Sequence, residues 1–208
     1  MSHASGSHCR TPANPPMALP NAAPERTLKH RRRIDVQVYA RGNGLWEVDA
    51  EISDVKTRDA KLAGGVRKAG EPIHDMLLRI VVDEQLTIRE AGSETRGMPY
   101  PGHCDDHGDA YKKLVGLNLL KGFRRDVIAR LGGVAGCTHL TELAQVLPTA
   151  VVQAFAGDVL DTREDSAADL PPFQIDRCHA LRSDGLAVAT FYPRWARGPS
   201  PAANVSET

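Results

Sequence analysis

The 208-residue chain has no run approaching eighteen consecutive apolar residues, which excludes a transmembrane helix. It has no excess of either charge: Lys+Arg and Asp+Glu are equal at 26 each. No overall field therefore draws it to nucleic acid or to an anionic membrane. Its first residues, "MSHASGSHCRTPANPPMALPNAAPE", lack the apolar stretch of a secretory signal, so a cytoplasmic protein is expected. Neither G-x-G-x-x-G after a strand nor G-x4-G-K-[ST] occurs, which removes the common nucleotide-binding loops. A G-x-S-x-G nucleophile elbow is also missing, as is any internal repeat.

The hydrophobic content of 41% and charged content of 25% are those of an ordinary globular domain. Residues 1–28 are rich in Ser, Pro, Ala and Asn without periodicity and predict a disordered tail. Residues 29–195 read as a single α+β domain, and 196–208 as a second tail. The basic run "HRRR" (30–33) precedes the first strand and reads as a solvated entry to the fold rather than a phosphate site. "IDVQVYA" (34–40) and "LWEVDAEISDV" (45–55) alternate apolar and polar residues about the turn "RGNG", as a hairpin does. Residues 56–72 read as a flexible excursion. "IHDMLLRIVVDEQLTIREA" (73–91) gives a second strand pair joined at "DEQ".

Three helical segments are expected next. Asp109 caps a segment over 109–118, and a second over 122–133 carries Phe123, Val127, Ile128 and Leu131 at helical spacing. A third spans 138–157 with Thr138 as N-cap, Pro148 as a kink or break and Gly157 at the C′ position. "FQIDRCHALRSDGLAVATFYP" (173–193) reads as two strands about "SDG", a hairpin that returns to the body. The expected fold is thus an antiparallel sheet of four or more strands on about three helices, joined by a C-terminal hairpin.

The chemistry-bearing residues cluster. All four cysteines have a histidine within three residues: His8 beside Cys9, His103 and His107 about Cys104, His139 after Cys137, His179 after Cys178. In a reducing compartment such thiols are core residues, ligands or nucleophiles. Cys9 lies in the tail and is set aside. Cys137 follows the glycine-rich "LGGVAG" and heads a helix, where the dipole and free N–H groups favour a thiolate. Cys104 and His107 have the C-x2-H spacing of short zinc knuckles, with Asp105 and Asp106 as possible outer partners. His74 opens an apolar strand, with Asp75 on the opposite face. Cys178 and His179 are weaker candidates for the same reason.

The segments "RRRIDVQVYARGNGLWEVDAEISDVK", "IHDMLLRIVVDEQLTIREA", "GCTHLTEL" and "CHALRSDG" resemble a bacterial family catalogued only as a domain of unknown function. Over residues 72–155 the order of elements is also similar to the scaffold proteins of iron–sulfur cluster assembly, of the IscU/NifU type. There "HDMLLRI" and "LTIREA" resemble the two strands, Cys104 falls near the second ligand cysteine, and Cys137 in "GCTHL" heads the last helix. His74 falls near an acidic ligand. Pro72 and Gly136 stand where that family has its first cysteine and a histidine, so two of three cysteines match.

The resulting expectation is a divalent metal, zinc or iron, held by His74, Cys104 and Cys137 with His139 or His107. An open coordination position would serve a small-molecule substrate, with Asp75 or His139 as candidate base. The alternatives are a metal or cluster carrier and a metal-free interaction domain. A metal-free nucleophile at Cys137 with His139 as base is the least favoured reading, because the two share one helix start.

Overall fold

The computed structural model describes residues 19–106, 109–165 and 169–198. Most of both expected tails, together with His8, Cys9 and His107, lies outside the described residues.

Four long strands form one antiparallel sheet in the order β1-β2-β5-β6. They are β1 (His30–Ala40), β2 (Leu45–Lys56), β5 (Pro72–Asp83) and β6 (Ile88–Gly97). The alternation read in the sequence sets its two faces. Val48, Ala50 and Ile52 of β2 and Met76, Leu78 and Ile80 of β5 point inward and are almost wholly buried. The odd-numbered residues of the same strands carry charge on the other face, where Arg79 pairs with Asp49. The β1–β2 turn needs glycine at Gly42 and Gly44, whose φ angles are +77° and +73°. The β5–β6 turn is built differently. The Asp83 carboxylate accepts N–H bonds from Gln85 and Thr87 at 3.0 and 2.9 Å, which holds Leu86 at φ 63° with its side chain in the core.

Residues 56–72 are not the flexible excursion expected. β3 (Ala60–Leu62) and β4 (Gly65–Arg67) pair as a small second sheet. Asp59 anchors the return of the chain by accepting from the Ala69 N–H and the Lys68 ammonium.

The helices cover the inner face. The first segment is a single 3-10 turn, Ala110–Leu114, shorter than expected because the chain reverses at Gly116 with φ +84°. Asp109 precedes it, with its carboxylate on Lys112 rather than on a cap N–H. α1 (Phe123–Leu131) buries Phe123, Val127 and Leu131 but leaves Ile128 56% exposed. α2 (Thr138–Phe155) packs across β1, β2 and β5 with Leu140, Leu143, Ala144, Leu147, Val151 and Phe155 inward. Pro148 does not divide it. The proline ring is buried in the helix, and the missing N–H is tolerated within the packed face. Cys137, not Thr138, is the N-cap, and Gly157 turns at φ +89° just past the end, as expected of C′.

The C-terminal hairpin does not form. Residues 173–193 hold a 3-10 turn at His179–Leu181 and the short helix α3 (Leu186–Phe191). Asp176 closes the loop by accepting the Ser183 N–H at 2.8 Å, and Gly185 then heads α3 rather than turning a hairpin. In "LAVATF" only Val188 is buried, while Leu186 and Phe191 are 71% and 68% exposed. One anchor suits a single helical turn; a half-buried strand would need alternate residues inward. The α+β architecture stands without that hairpin. Among the described residues, no helix is long and apolar enough to cross a membrane.

Candidate metal centre and its charge network

The site lies where the ends of β1, β2 and β5 meet the head of α2. Inward parity on β2 runs through Val48, Ala50 and Ile52 to Asp54, which places a carboxylate at a core position with 3% exposure. The cross-strand partner of Asp54 on β1 is Arg32, and on β5 it is His74. A register shift between Asp54 and Val55 follows directly. A buried carboxylate must be surrounded by donors, and this one is. Arg32 grips it with Nε 2.9 Å from Oδ1 and Nη2 2.8 Å from Oδ2. His30 Nε2 lies 2.9 Å from Oδ1, and His74 Nδ1 lies 3.1 Å from Oδ2. The third guanidinium nitrogen of Arg32, Nη1, reaches Glu142 on α2 at 2.6 Å, tying the edge strand to the helix.

α2 contributes the other imidazole. His139 is the second residue of the helix, with its Nε2 3.7 Å from Asp54 Oδ2 and its ring against that of His74 at 3.7 Å between centroids, tilted by 31°. Its Nδ1 faces the opposite way, 4.0 Å from Cys137 Sγ, which itself rests 3.8 Å from Met76 Sδ. The helix start is fixed locally. Tyr111, fully buried, donates its hydroxyl to the Cys137 carbonyl at 2.8 Å. Gly136 passes so close to Leu131 that an added Cβ would sit 2.8 Å from its carbonyl oxygen.

The electrostatics follow from burial and charge. Burial alone would push the Asp54 carboxyl up, but the hydrogen bonds and charge of Arg32, aided by His74, outweigh it and hold the group at about 2. The Arg32 guanidinium is pushed further up by its bond to Asp54 and by Glu142. Burial moves the His74 imidazole below its ordinary value, against the pull of Asp54. The same burial, with the positive charges of His74 and Arg32, moves His139 down as well. Both shifts favour the neutral imidazole; in neutral His74 the proton sits on Nδ1, facing Asp54, and the lone pair on Nε2.

Among the described residues, one group of acidic, thiol or imidazole side chains could hold a metal ion. It is Asp54, His74 and His139, with one ligand atom from each lying within 4.8 Å of the others. The separations from the Asp54 oxygen, 3.1 and 3.7 Å, match those between donors sharing an ion at about 2.0–2.1 Å. Two contacts oppose the fit. His74 Nδ1 faces the Asp54 carboxylate as an N–H donor, so it must give up that proton to ligate an ion. Arg32 Nη2 already occupies Asp54 Oδ2, so an ion there must displace it, with Glu142 ready to retain the guanidinium.

His74 and His139, singled out in the sequence, thus meet. The thiols stand apart from that group. Cys137 faces the far nitrogen of His139, and one imidazole cannot present both nitrogens to one ion. Cys104 sits on a turn whose N–H bonds the Tyr100 carbonyl at 2.9 Å. It shares with Cys137 a cleft of about 690 Å³, also lined by His103, Asp106, Asp109 and Lys113 but by none of Asp54, His74 and His139. Asp75 turns to the outer face and pairs with Arg96 at 3.2 Å, away from the imidazoles. Asp105 is exposed, as are Cys178 and His179.

Sequence reasoning passed over Asp54 and Glu142, and it read His30 and Arg32 as part of a solvated run ahead of the first strand, whereas they belong to β1 and bind the buried carboxylate. Parity was the available signal. Asp54 continues the inward series of β2, and His30 and Arg32 continue the inward series of β1, so a charge at each is a buried charge seeking partners.

No curated protein and no solved structure matches the chain. The family profile described as "Protein of unknown function (DUF2889)" matches residues 30–153, which run from β1 into the last turn of α2 and include every side chain of the Asp54 cluster. With more than half of its length matched, the chain belongs to this family of proteins of unknown function, DUF2889.

Proposed function

We propose that the protein is a metal-binding protein whose ion is held by Asp54, His74 and His139, used as a small-molecule metalloenzyme. The observation that carries this reading is the convergence of two imidazoles and one carboxylate from three separate elements on one point, where burial favours the neutral form of each imidazole and Arg32 the ionised form of the carboxyl. Two histidines and a carboxylate suit zinc or iron and leave coordination positions open. A metal so held supplies Lewis-acid activation of a bound water or carbonyl. The chain's own residues supply the rest. Asp54 keeps the charge of the site low, and Arg32 parks on Glu142 when an ion takes its place.

The test is titration of chelator-treated, tag-free protein with zinc and with cobalt(II), followed by calorimetry and visible absorption. One ion per chain is expected, with affinity lost at least about tenfold in His74→Ala and in His139→Ala and retained in Cys104→Ala. Absence of stoichiometric binding, or binding that depends on Cys104 and not on the imidazoles, overturns the proposal.

A second reading has its own support. Asp54 already accepts four close contacts, from Arg32 twice and from His30 and His74. The network would then serve only to lock β1, β2, β5 and α2 together in a metal-free interaction domain. In that case zinc leaves the melting temperature unchanged, whereas a bound ion raises it with concentration.

A further inference from the structure

The run His30–Arg33 divides its labour by strand alternation. His30 and Arg32 turn inward to Asp54; Arg31 and Arg33 turn to the outer face, opposite Val55 and Ser53 of β2. On the rest of that face the cations are matched with acids. Arg79 is paired with Asp49, Arg96 with Glu51 and Asp75, and Arg41 with Glu90. Arg31 and Arg33 have no hydrogen-bond or ion-pair partner among the described residues. They line a groove of about 490 Å³ together with Lys56, the hydroxyl-bearing Ser53 and Thr57, and the apolar Leu28 and Val55. No acidic side chain lines it.

The geometry points to this groove as a binding site for a small phosphate ester, a molecule with a phosphoryl head and an apolar body. Two guanidinium forks offer paired N–H donors that match phosphoryl oxygens, and each such charge-assisted bond is stronger than a neutral one. The Ser53 hydroxyl adds a donor at the groove wall, while the Thr57 hydroxyl is committed to the Leu28 carbonyl at 2.8 Å and fixes that wall. Its volume falls in the range of small-molecule pockets and leaves room for more than a bare phosphate, and Leu28 and Val55 give the remainder of the ligand an apolar surface. A nucleic-acid strand fits less well, because no aromatic side chain lines the groove to stack a base and the chain as a whole carries no net charge. The site is separate from the Asp54 cluster, on the opposite face of the same two strands, and stands whether or not that cluster holds a metal.

The experiment is calorimetric titration of the full chain at near-physiological salt with phenyl phosphate, inorganic phosphate and a twelve-residue oligouridylate. Phenyl phosphate should bind once per chain and at least about fivefold more tightly than inorganic phosphate. The double substitution Arg31→Ala/Arg33→Ala should weaken it about tenfold or more, the loss expected for removing at least one charge-assisted bond. Both side chains are exposed, so the variant should keep its circular-dichroism spectrum and melting temperature. His74→Ala should leave phenyl phosphate binding unchanged. Undetectable binding, equal affinity for the two phosphates or no loss in the double variant would each overturn the proposal. So would tighter binding of the oligouridylate with a steep salt dependence.

Discussion

Replacing Asp54 by Asn keeps the side-chain size and removes the charge on which four donors converge. The consequence can be sized from the carboxyl itself. Its depression from 3.8 to about 2 in the folded state corresponds to about 2.5 kcal/mol of native-state preference for the ionised form at neutral pH. Asn also turns an NH2 donor toward donors, leaving the Arg32 charge partly unpaired, and removal of one partner of a buried pair costs about 3–5 kcal/mol. We therefore expect Asp54→Asn to lose about 3 kcal/mol, a fall in melting temperature of about 6–12 °C for a domain of this size. Urea denaturation as a function of pH is the assay. A carboxyl depressed in the native state contributes stability that is present above its unfolded value and lost as pH falls through its folded value. The parent should therefore lose this increment between about pH 4 and pH 2, and the variant should lack that part of the acid loss. An Asn variant within about 0.5 kcal/mol of the parent, or one with the same loss below pH 4, would refute the central place given to Asp54.

Other expectations follow from neighbouring contacts. His74 and His139 are both held below their ordinary value, so the metal-free fold should lose stability as pH drops below 6.5. Combined substitution of both by Gln should flatten that limb of the urea-derived stability profile. Tyr111→Phe removes the hydroxyl that donates to the Cys137 carbonyl and lies 3.0 Å from Thr141 Oγ1. It should cost about 1–2 kcal/mol by chemical denaturation. Gly136→Ala forces a methyl group against the Leu131 carbonyl and the Tyr111 hydroxyl. It should destabilise by about 1–3 kcal/mol and, by shifting the head of α2, weaken zinc binding at His139 in the same titration. Arg32→Met should raise zinc affinity if the guanidinium competes for Asp54 Oδ2, while lowering the stability of the metal-free protein; unchanged affinity would show that the two do not compete.

The sheet was legible because its alternation is enforced by one buried face; the pair 34–40 with 45–55 sits where period-two patterning puts it, and the pair read within 73–91 forms, with β6 running on to Gly97. The C-terminal segment failed for the same physical reason. "LAVATFYP" alternates as a half-buried strand would, yet it has one buried residue, Val188, and pairs with no strand among the described residues. Local pattern cannot report a missing partner. At the site, the histidines announced themselves by residue type, whereas Asp54 was hidden inside an unremarkable acidic strand, "VDAEISDVK". Only its parity distinguishes it from Asp49 and Glu51, which face water and arginine on the other side. The thiols drew attention through sequence adjacency to histidines. Adjacency along a chain fixes separation, not the direction in which an imidazole nitrogen points, and Cys137 meets the wrong nitrogen of His139 to share an ion with Asp54.

β1 lies at the margin of the sheet, hydrogen-bonded to β2 alone, yet it delivers both His30 and Arg32 to the buried carboxylate. Fraying of that single ribbon would strip Asp54 of its counter-charge and open the cluster to solvent without unfolding the rest. The Arg32–Glu142 link to α2 is the bolt against it. A shortened chain beginning after Arg33 should therefore be doubly handicapped, with an orphaned carboxylate in its interior and a sticky rim outside.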